Sequence, residues 1–244
     1  MSYEENIQIF LSSRNASRYN NGLTSDCDFY LPMMELPAQH YAYISLVQAS
    51  IPYTFYNINS SNNTMNYTVN GVPSTATISP GNYNCTQMIA WFSANTPLVV
   101  TYNIITNKFT FTHATYDFAF LSTSTCLDLL GLSSNLGSTS KTLTSDRCIN
   151  LLTTSCVCVH SNFSTGAVTS NDKADSTIIE SIPVSIPPYS MITFRNDSGH
   201  RSCLYTNVIS FINIKLLDQN GAPIDLNGCH WSMTLNIDVV RFTE

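Results

Sequence analysis

The chain has 244 residues, room for one large β domain or a domain carrying an insertion, and a net charge of −6. Asp, Glu, Lys and Arg make up only 11% of it, against about 25% in an ordinary soluble domain, and Asn, Ser and Thr supply about a third. Scattered Lys and Arg exclude a surface that coats nucleic acid, and the neutral polar composition fits two designs equally, a subunit with much buried interface or a monomer of adhesin type.

Met1 to Asn6 holds Glu4 and Glu5 and no apolar run, so it does not read as a signal peptide. No stretch of about 18 uninterrupted apolar residues is present to span a membrane. A chain kept in the cytosol is expected to hold its eight cysteines as reduced, buried thiols. The sequons at Asn15, Asn62, Asn66, Asn84, Asn162 and Asn196 then follow from an Asn- and Thr-rich composition.

Ile7 to Leu11 reads as a first short strand, followed by a polar stretch, Ser12 to Thr24, with a turn at Asn20-Asn21-Gly22. Phe29 to Leu36 is extended, with Pro32 and Pro37 holding it off a central strand position. Tyr41 to Tyr53 places Val47, Ala49 and Ile51 on one face and Ile44 and Leu46 on the other, so it is buried on both sides or carries a bulge. From residue 54 to 147 the texture changes to that of an α+β insertion. Asn84 caps a helix carrying Met88, Ile89 and Phe92, with Gln87 three residues on and Pro97 beyond its end. Val99 to Asn103 and Lys108 to Thr112 form a hairpin whose apolar face is Phe109 and Phe111. Thr125 to Leu130 opens with a Thr125/Asp128 capping pattern and closes at Gly131 as a second helical turn.

Strands then return at Ile149 to Leu152, Cys156 to Ser161, Ile178 to Ile186, Met191 to Arg195, Asn207 to Asp218 and Trp231 to Phe242. In the last, Trp231, Met233, Leu235, Ile237 and Val239 alternate with Ser232, Thr234, Asn236 and Asp238, giving one core face and one polar face. With the two early strands these make eight, and the expected class is an all-β, single jelly-roll sandwich of eight strands with a smaller α+β insertion. The jelly roll takes residues 1–53 and 148–244, and the insertion takes 54–147.

Three segments carry a family likeness: Tyr41 to Ile58 (YAYISLVQASIPYTFYNI); Pro80-Gly81-Asn82-Tyr83 with its helix and the hairpin around Thr106-Asn107-Lys108-Phe109; and Pro223 to Leu235 (PIDLNGCHWSMTL). Together they resemble the penton or minor capsid proteins of virophages, polinton-like viruses and their giant-virus relatives. The resemblance implies a structural, non-enzymatic virion protein, a single jelly roll with strands along the capsid radius. It further implies five copies at each fivefold vertex against the major capsid protein, assembled in the host cytoplasm. An added domain between strands is common in that family, and here it is a candidate contact with the host surface. The Ser12 to Asp28 stretch is a candidate arm that orders on neighbouring subunits. The alternative from another class is a carbohydrate-binding or adhesive β-sandwich involved in host attachment.

No residue is assigned to catalysis, to a cofactor or to a metal. On a strand, Cys156, Cys158 and His160 share a face, and Cys229 adjoins His230, but zinc sites bring a second closely spaced pair that is absent here. None of His40, His113, His160, His200 and His230 accompanies a nucleophile signature such as G-x-S-x-G. Asp218, Asn220, Asp225 and Asn227 around Gly221 and Gly228 are oxygen donors of the kind that bind calcium, yet the glycine spacing and the missing Glu depart from an EF-hand, and the residues read as turns.

Overall fold

The computed structural model describes residues 3–35, 40–133, 136–163, 177–204, 206 and 208–241. Its elements in chain order are β1 (Tyr3–Ser12), β2 (Arg18–Tyr19), β3 (Asp26–Glu35), β4 (His40–Pro52), β5 (Thr64–Val69), β6 (Val72–Thr77) and α1 (Cys85–Asn95). There follow β7 (Val99–Asn103), β8 (Lys108–Thr112), β9 (Phe118–Phe120), β10 (Thr142–Thr144), β11 (Cys156–Ser161) and β12 (Ile178–Pro183). The last four are β13 (Met191–Arg195), β14 (Ser202–Leu204), β15 (Val208–Leu217) and β16 (Ser232–Arg241). The chain is nearly all-β and divides into two compact units, Met1–Phe55 with Thr154–Glu244, and Tyr56–Thr153.

The first unit has two antiparallel sheets, one ordered β1-β16-β4-β13 with β14 also on β4, the other ordered β12-β11-β15-β3-β2. Their apolar faces share one core around Trp231, Ile44, Leu46, Ile212, Leu216 and Leu235, as expected of a β-sandwich. The two-faced apolar pattern of β4 has a simple origin. Thr234 pairs with Gln48 and Leu235 with Leu46, so Val47 is an extra residue in the ladder. This bulge shifts the side-chain phase by one and brings Ala42, Ile44 and Leu46 onto the same buried face as Ala49 and Ile51. β3 is a full strand despite Pro32. The proline falls where the register to β15 slips, between Ile209/Met34 and Phe211/Tyr30, beyond the reach of two-residue β2, so its missing N–H removes no ladder bond. Pro37 lies outside the described residues.

Two expectations fail here. Ile149 to Leu152 is not a strand: Ile149 N–H donates to Asn107, Asn150 N–H donates to Leu129, and the Leu151 carbonyl accepts from Asn57, one bond to each of three segments instead of a ladder. Ile149 is buried in the second unit's core. Ser12 to Asp28 is not a free arm either. It forms two 3-10 turns and β2, Ser13 is fully buried, and Tyr19 Oη donates to the Ser13 carbonyl at 2.7 Å.

The second unit holds two three-stranded sheets, β10-β8-β7 and β6-β5-β9, with α1. The cap of α1 is reciprocal, Gln87 N–H donating to Asn84 Oδ1 and Asn84 N–H to Gln87 Oε1, both at 2.9 Å. Met88 and Phe92 are its buried face. Thr125 to Leu130 makes one helical turn, with Leu130 N–H donating to the Cys126 carbonyl at 3.2 Å, but Thr125 does not cap it, because its Oγ1 accepts from Thr64 N–H. Gly131 closes it with φ +67, and a Cβ there would lie 2.4 Å from the Arg147 carbonyl oxygen, so only glycine fits.

Candidate functional site

The thiols and imidazoles come first. Cys156 and Cys158 share a face of β11 with their sulfurs 3.7 Å apart, and the Cys158 sulfur lies 3.8 Å from Ser181 Oγ. Burial pushes the Cys158 thiol up to about 11, helped by Cys156 and Asp218 and opposed by Ser181, which disfavours the thiolate that metal binding and nucleophilic attack require. His160 follows a register slip and places Nδ1 3.0 Å from Thr177 Oγ1. Burial, with Lys215 nearby, lowers its pKa. His230 Nδ1 sits 3.1 Å from Ser13 Oγ, a Ser–His pair by distance alone, but that oxygen accepts the Trp231 N–H at 3.0 Å and Ser13 is fully buried. His113 Nδ1 accepts the N–H groups of Thr115 and Tyr116, and His200 Nδ1 faces Glu180 at 3.4 Å. Among the described residues no three His, Cys, Asp or Glu side chains converge as a metal site would need. Cys27, Cys126 and Cys158 are buried thiols as expected, whereas Cys148 is exposed.

The Asp/Asn turns are occupied by their own backbone. Asp218 Oδ1 accepts from Asn220 N–H and Ala222 N–H, each at 2.8 Å, and Asp225 Oδ1 accepts from Asn227 N–H at 2.8 Å. Asn227 and Gly228 both have positive φ, and Asn227 Nδ2 donates to the Thr54 carbonyl. These are Asx turns tying a loop down.

A polar network went unnoticed in the sequence. Asn213 Nδ2 donates to Asp26 Oδ1 and Asp28 Oδ1 at 2.8 Å each, and Asn20 Nδ2 reaches the same two oxygens at 2.9 and 3.0 Å. Lys215 Nζ stands 3.6 Å from Asp26 Oδ2. The readable signal was Asp26-x-Asp28 on an alternating strand, which places both carboxylates on one face. The network pins the Asn20 turn to the sheet.

What remains is surface. In the first unit a cleft of about 690 Å³ is bounded by β1, β4, β13 and β16 and by β3 with Asn15 and Ser17. None of its lining residues is charged, and it carries Phe10 and Tyr30, 73% and 72% exposed. In the second unit the β7–β8 turn presents Ile104 and Ile105, 82% and 90% exposed. No helix among the described residues is long and apolar enough to cross a membrane.

No family model and no curated protein matches this sequence. Among solved structures, the mavirus penton protein matches with a TM-score of 0.54 and 10% sequence identity, over 97% of this chain and 100% of that one. The chain shares the fold of a viral penton protein. The family likeness read from Tyr41 to Ile58, the Pro80 turn and Pro223 to Leu235 thus has a structural counterpart. At 10% identity the shared quantity is the arrangement of strands.

Proposed function

We propose that this chain is a penton subunit of an icosahedral virion, a structural protein that acts by assembly: five copies close around a vertex and meet the major capsid protein on their outer side. The observation that carries the reading is a fold match to the mavirus penton protein that spans nearly all of both chains. The strand orders support a single jelly roll: β1, β3, β4, β11, β12, β13, β15 and β16 supply eight strands, and along the chain they pass between the two sheets in the alternating manner of that fold. On this reading Tyr56–Thr153 is a domain inserted between β4 and β11. Its exposed Ile104-Ile105 turn is the first place to look for a host contact.

A ring of five needs two different patches on each copy, each complementary to the other on its neighbour, because the contact is heterologous. The low charge suits this, since like charges gathered around an axis repel. Assembly takes place in the host cytoplasm and the mature location is the virion. Light scattering over a concentration series, alone and with the major capsid protein, tests the reading. A species of five subunits under either condition is expected. A monomer under both would overturn it.

A further inference from the structure

β11 carries two thiols close enough to react with each other, and we infer that Cys156 and Cys158 form a redox pair that a peroxide oxidises to an intrastrand disulfide. The strand period of two sends both side chains to the outer face of their sheet, while Val157 and Val159 are fully buried in the core. The sulfurs lie 3.7 Å apart, in van der Waals contact, so no third group separates them. Their surroundings differ. Cys158 is only 8% exposed and is paired on both sides, with Ser181 of β12 and Leu217 of β15. Cys156 is half-buried, begins the strand, lies outside the ladder with β15, and faces Pro183, which has no N–H to give.

This asymmetry assigns the two roles. An oxidant in solvent reaches Cys156 first, whereas burial holds the Cys158 thiol up at about 11 and makes it the poorer first nucleophile. The Cys156 thiolate attacks one oxygen of hydrogen peroxide, the O–O bond breaks, and the departing hydroxide takes up the proton the thiol released, leaving a sulfenic acid and water. The Cys158 sulfur then attacks the Cys156 sulfur. The S–S bond forms, the S–O bond breaks, and hydroxide leaves with the Cys158 proton as a second water. Contact at 3.7 Å replaces a bimolecular encounter in this step and offsets the low thiolate fraction. Cys158 S–H donates to Ser181 Oγ, 3.8 Å away on an exposed residue, which gives the proton a way out.

Strand geometry makes the product reversible. Positions two apart in a strand are about 6.6–6.8 Å apart at Cα, the upper limit for a disulfide, so closing the bridge strains β11 and leaves the bond easily reduced. Cys156, laddered on one side only, is the end that moves. The pair lies within one unit of one chain, so the inference stands apart from the penton reading.

The test treats the reduced full chain with equimolar hydrogen peroxide, alkylates it under denaturing conditions and follows the tryptic peptide between Arg147 and Lys173 by mass spectrometry. A Cys148→Ser background leaves Cys156 and Cys158 as the only cysteines of that peptide, and Cys148 is exposed, so the change spares the fold. The expected product is the unalkylated peptide, lighter than its dithiol form by two hydrogen atoms and returned to two free thiols by reduced glutathione. Cys158→Ser should stop at a dimedone-reactive sulfenic acid on Cys156, and Cys156→Ser should leave Cys158 reduced at the same dose. Two alkylatable thiols after treatment overturn the proposal, as does oxidation of Cys156 to the sulfinic acid with no bridge, or a bridge that glutathione does not open. The first readout keeps both thiols in place, so it does not depend on how either serine variant folds.

Discussion

The two units bury their surfaces with different side chains. The first packs aliphatic residues from two five-stranded sheets, Ile44, Leu46, Ile51, Ile214, Leu235 and Ile237 among them, around the single Trp231. The second has only three-stranded sheets and one helix, and its centre is aromatic: Phe92, Phe109, Phe111 and Phe120 are fully buried and meet edge to face, with centroids 5.4 Å apart for Phe92–Phe111 and 4.9 Å for Phe111–Phe120. A small sheet offers few inward positions, so each must remove more area from water. A Phe, at roughly 150–250 Å² buried, does so where an Ile does not. The same density makes the second unit the more sensitive to a single truncation.

That contrast can be broken most directly at Phe111. Each unit contains one of the two tryptophans, Trp91 in the second and Trp231 in the first, so fluorescence of Trp231→Phe and Trp91→Phe backgrounds follows the units separately. Phe111→Ala should cost the Trp91-reported transition about 3–5 kcal/mol in urea and leave the Trp231-reported one in place. Equal shifts in both would show one cooperative unit instead of two. Leu235→Ala, the mirror experiment in the aliphatic core, should cost the Trp231-reported transition about 2–4 kcal/mol, with more relaxation around the smaller gap.

Gly131→Ala comes next. Both the positive φ and the Arg147 carbonyl at 2.4 Å oppose a Cβ, so a loss of roughly 2 kcal/mol or more is expected in the Trp91-reported transition. A neutral result would mean that the turn relaxes freely. Alkaline pH probes both units at once. Burial, then Asp26 and Asp28, pushes the Cys27 thiol up to about 12, and burial pushes Cys126 up to about 12 as well. A thiol raised above its ordinary 9.0 contributes stability that is complete below that value and lost as pH rises toward the folded one, because the unfolded chain ionises first. Stability of each unit should therefore fall between pH 9 and 12. Cys27→Ala should flatten that slope only for the first unit and Cys126→Ala only for the second. The smallest effect is at the helix cap, where Asn84→Ala should cost the second unit about 1 kcal/mol by the same readout.

Legibility differed between the units for a physical reason. In the second, the Asn84/Gln87 cap and the Val99 to Thr112 hairpin were readable because each is closed by residues within a few positions of one another. Thr125 misled because its hydroxyl serves a strand sixty-one residues earlier. In the first unit the polar network of Asn213 with Asp26 and Asp28 spans about 185 positions, and no local pattern announces it. The cleft was hidden for the same cause, since its lining is gathered from five strands and a turn.

The sequence by itself determined the β class, the alternation of β16, the change of texture near residues 54 and 147, and the neutral polar surface. Those properties reside in composition and in periods of two to four residues. Only the tertiary structure decided which strands are neighbours, that Val47 is a bulge, that Ser12 to Asp28 folds back on its own unit, and that one cleft draws its lining from both sheets. β1 pairs with β16 across 220 positions or more, from Ser12 with Ser232 to Tyr3 with Val240. The free energy of such a ladder belongs to the pair, so neither strand read alone contains it.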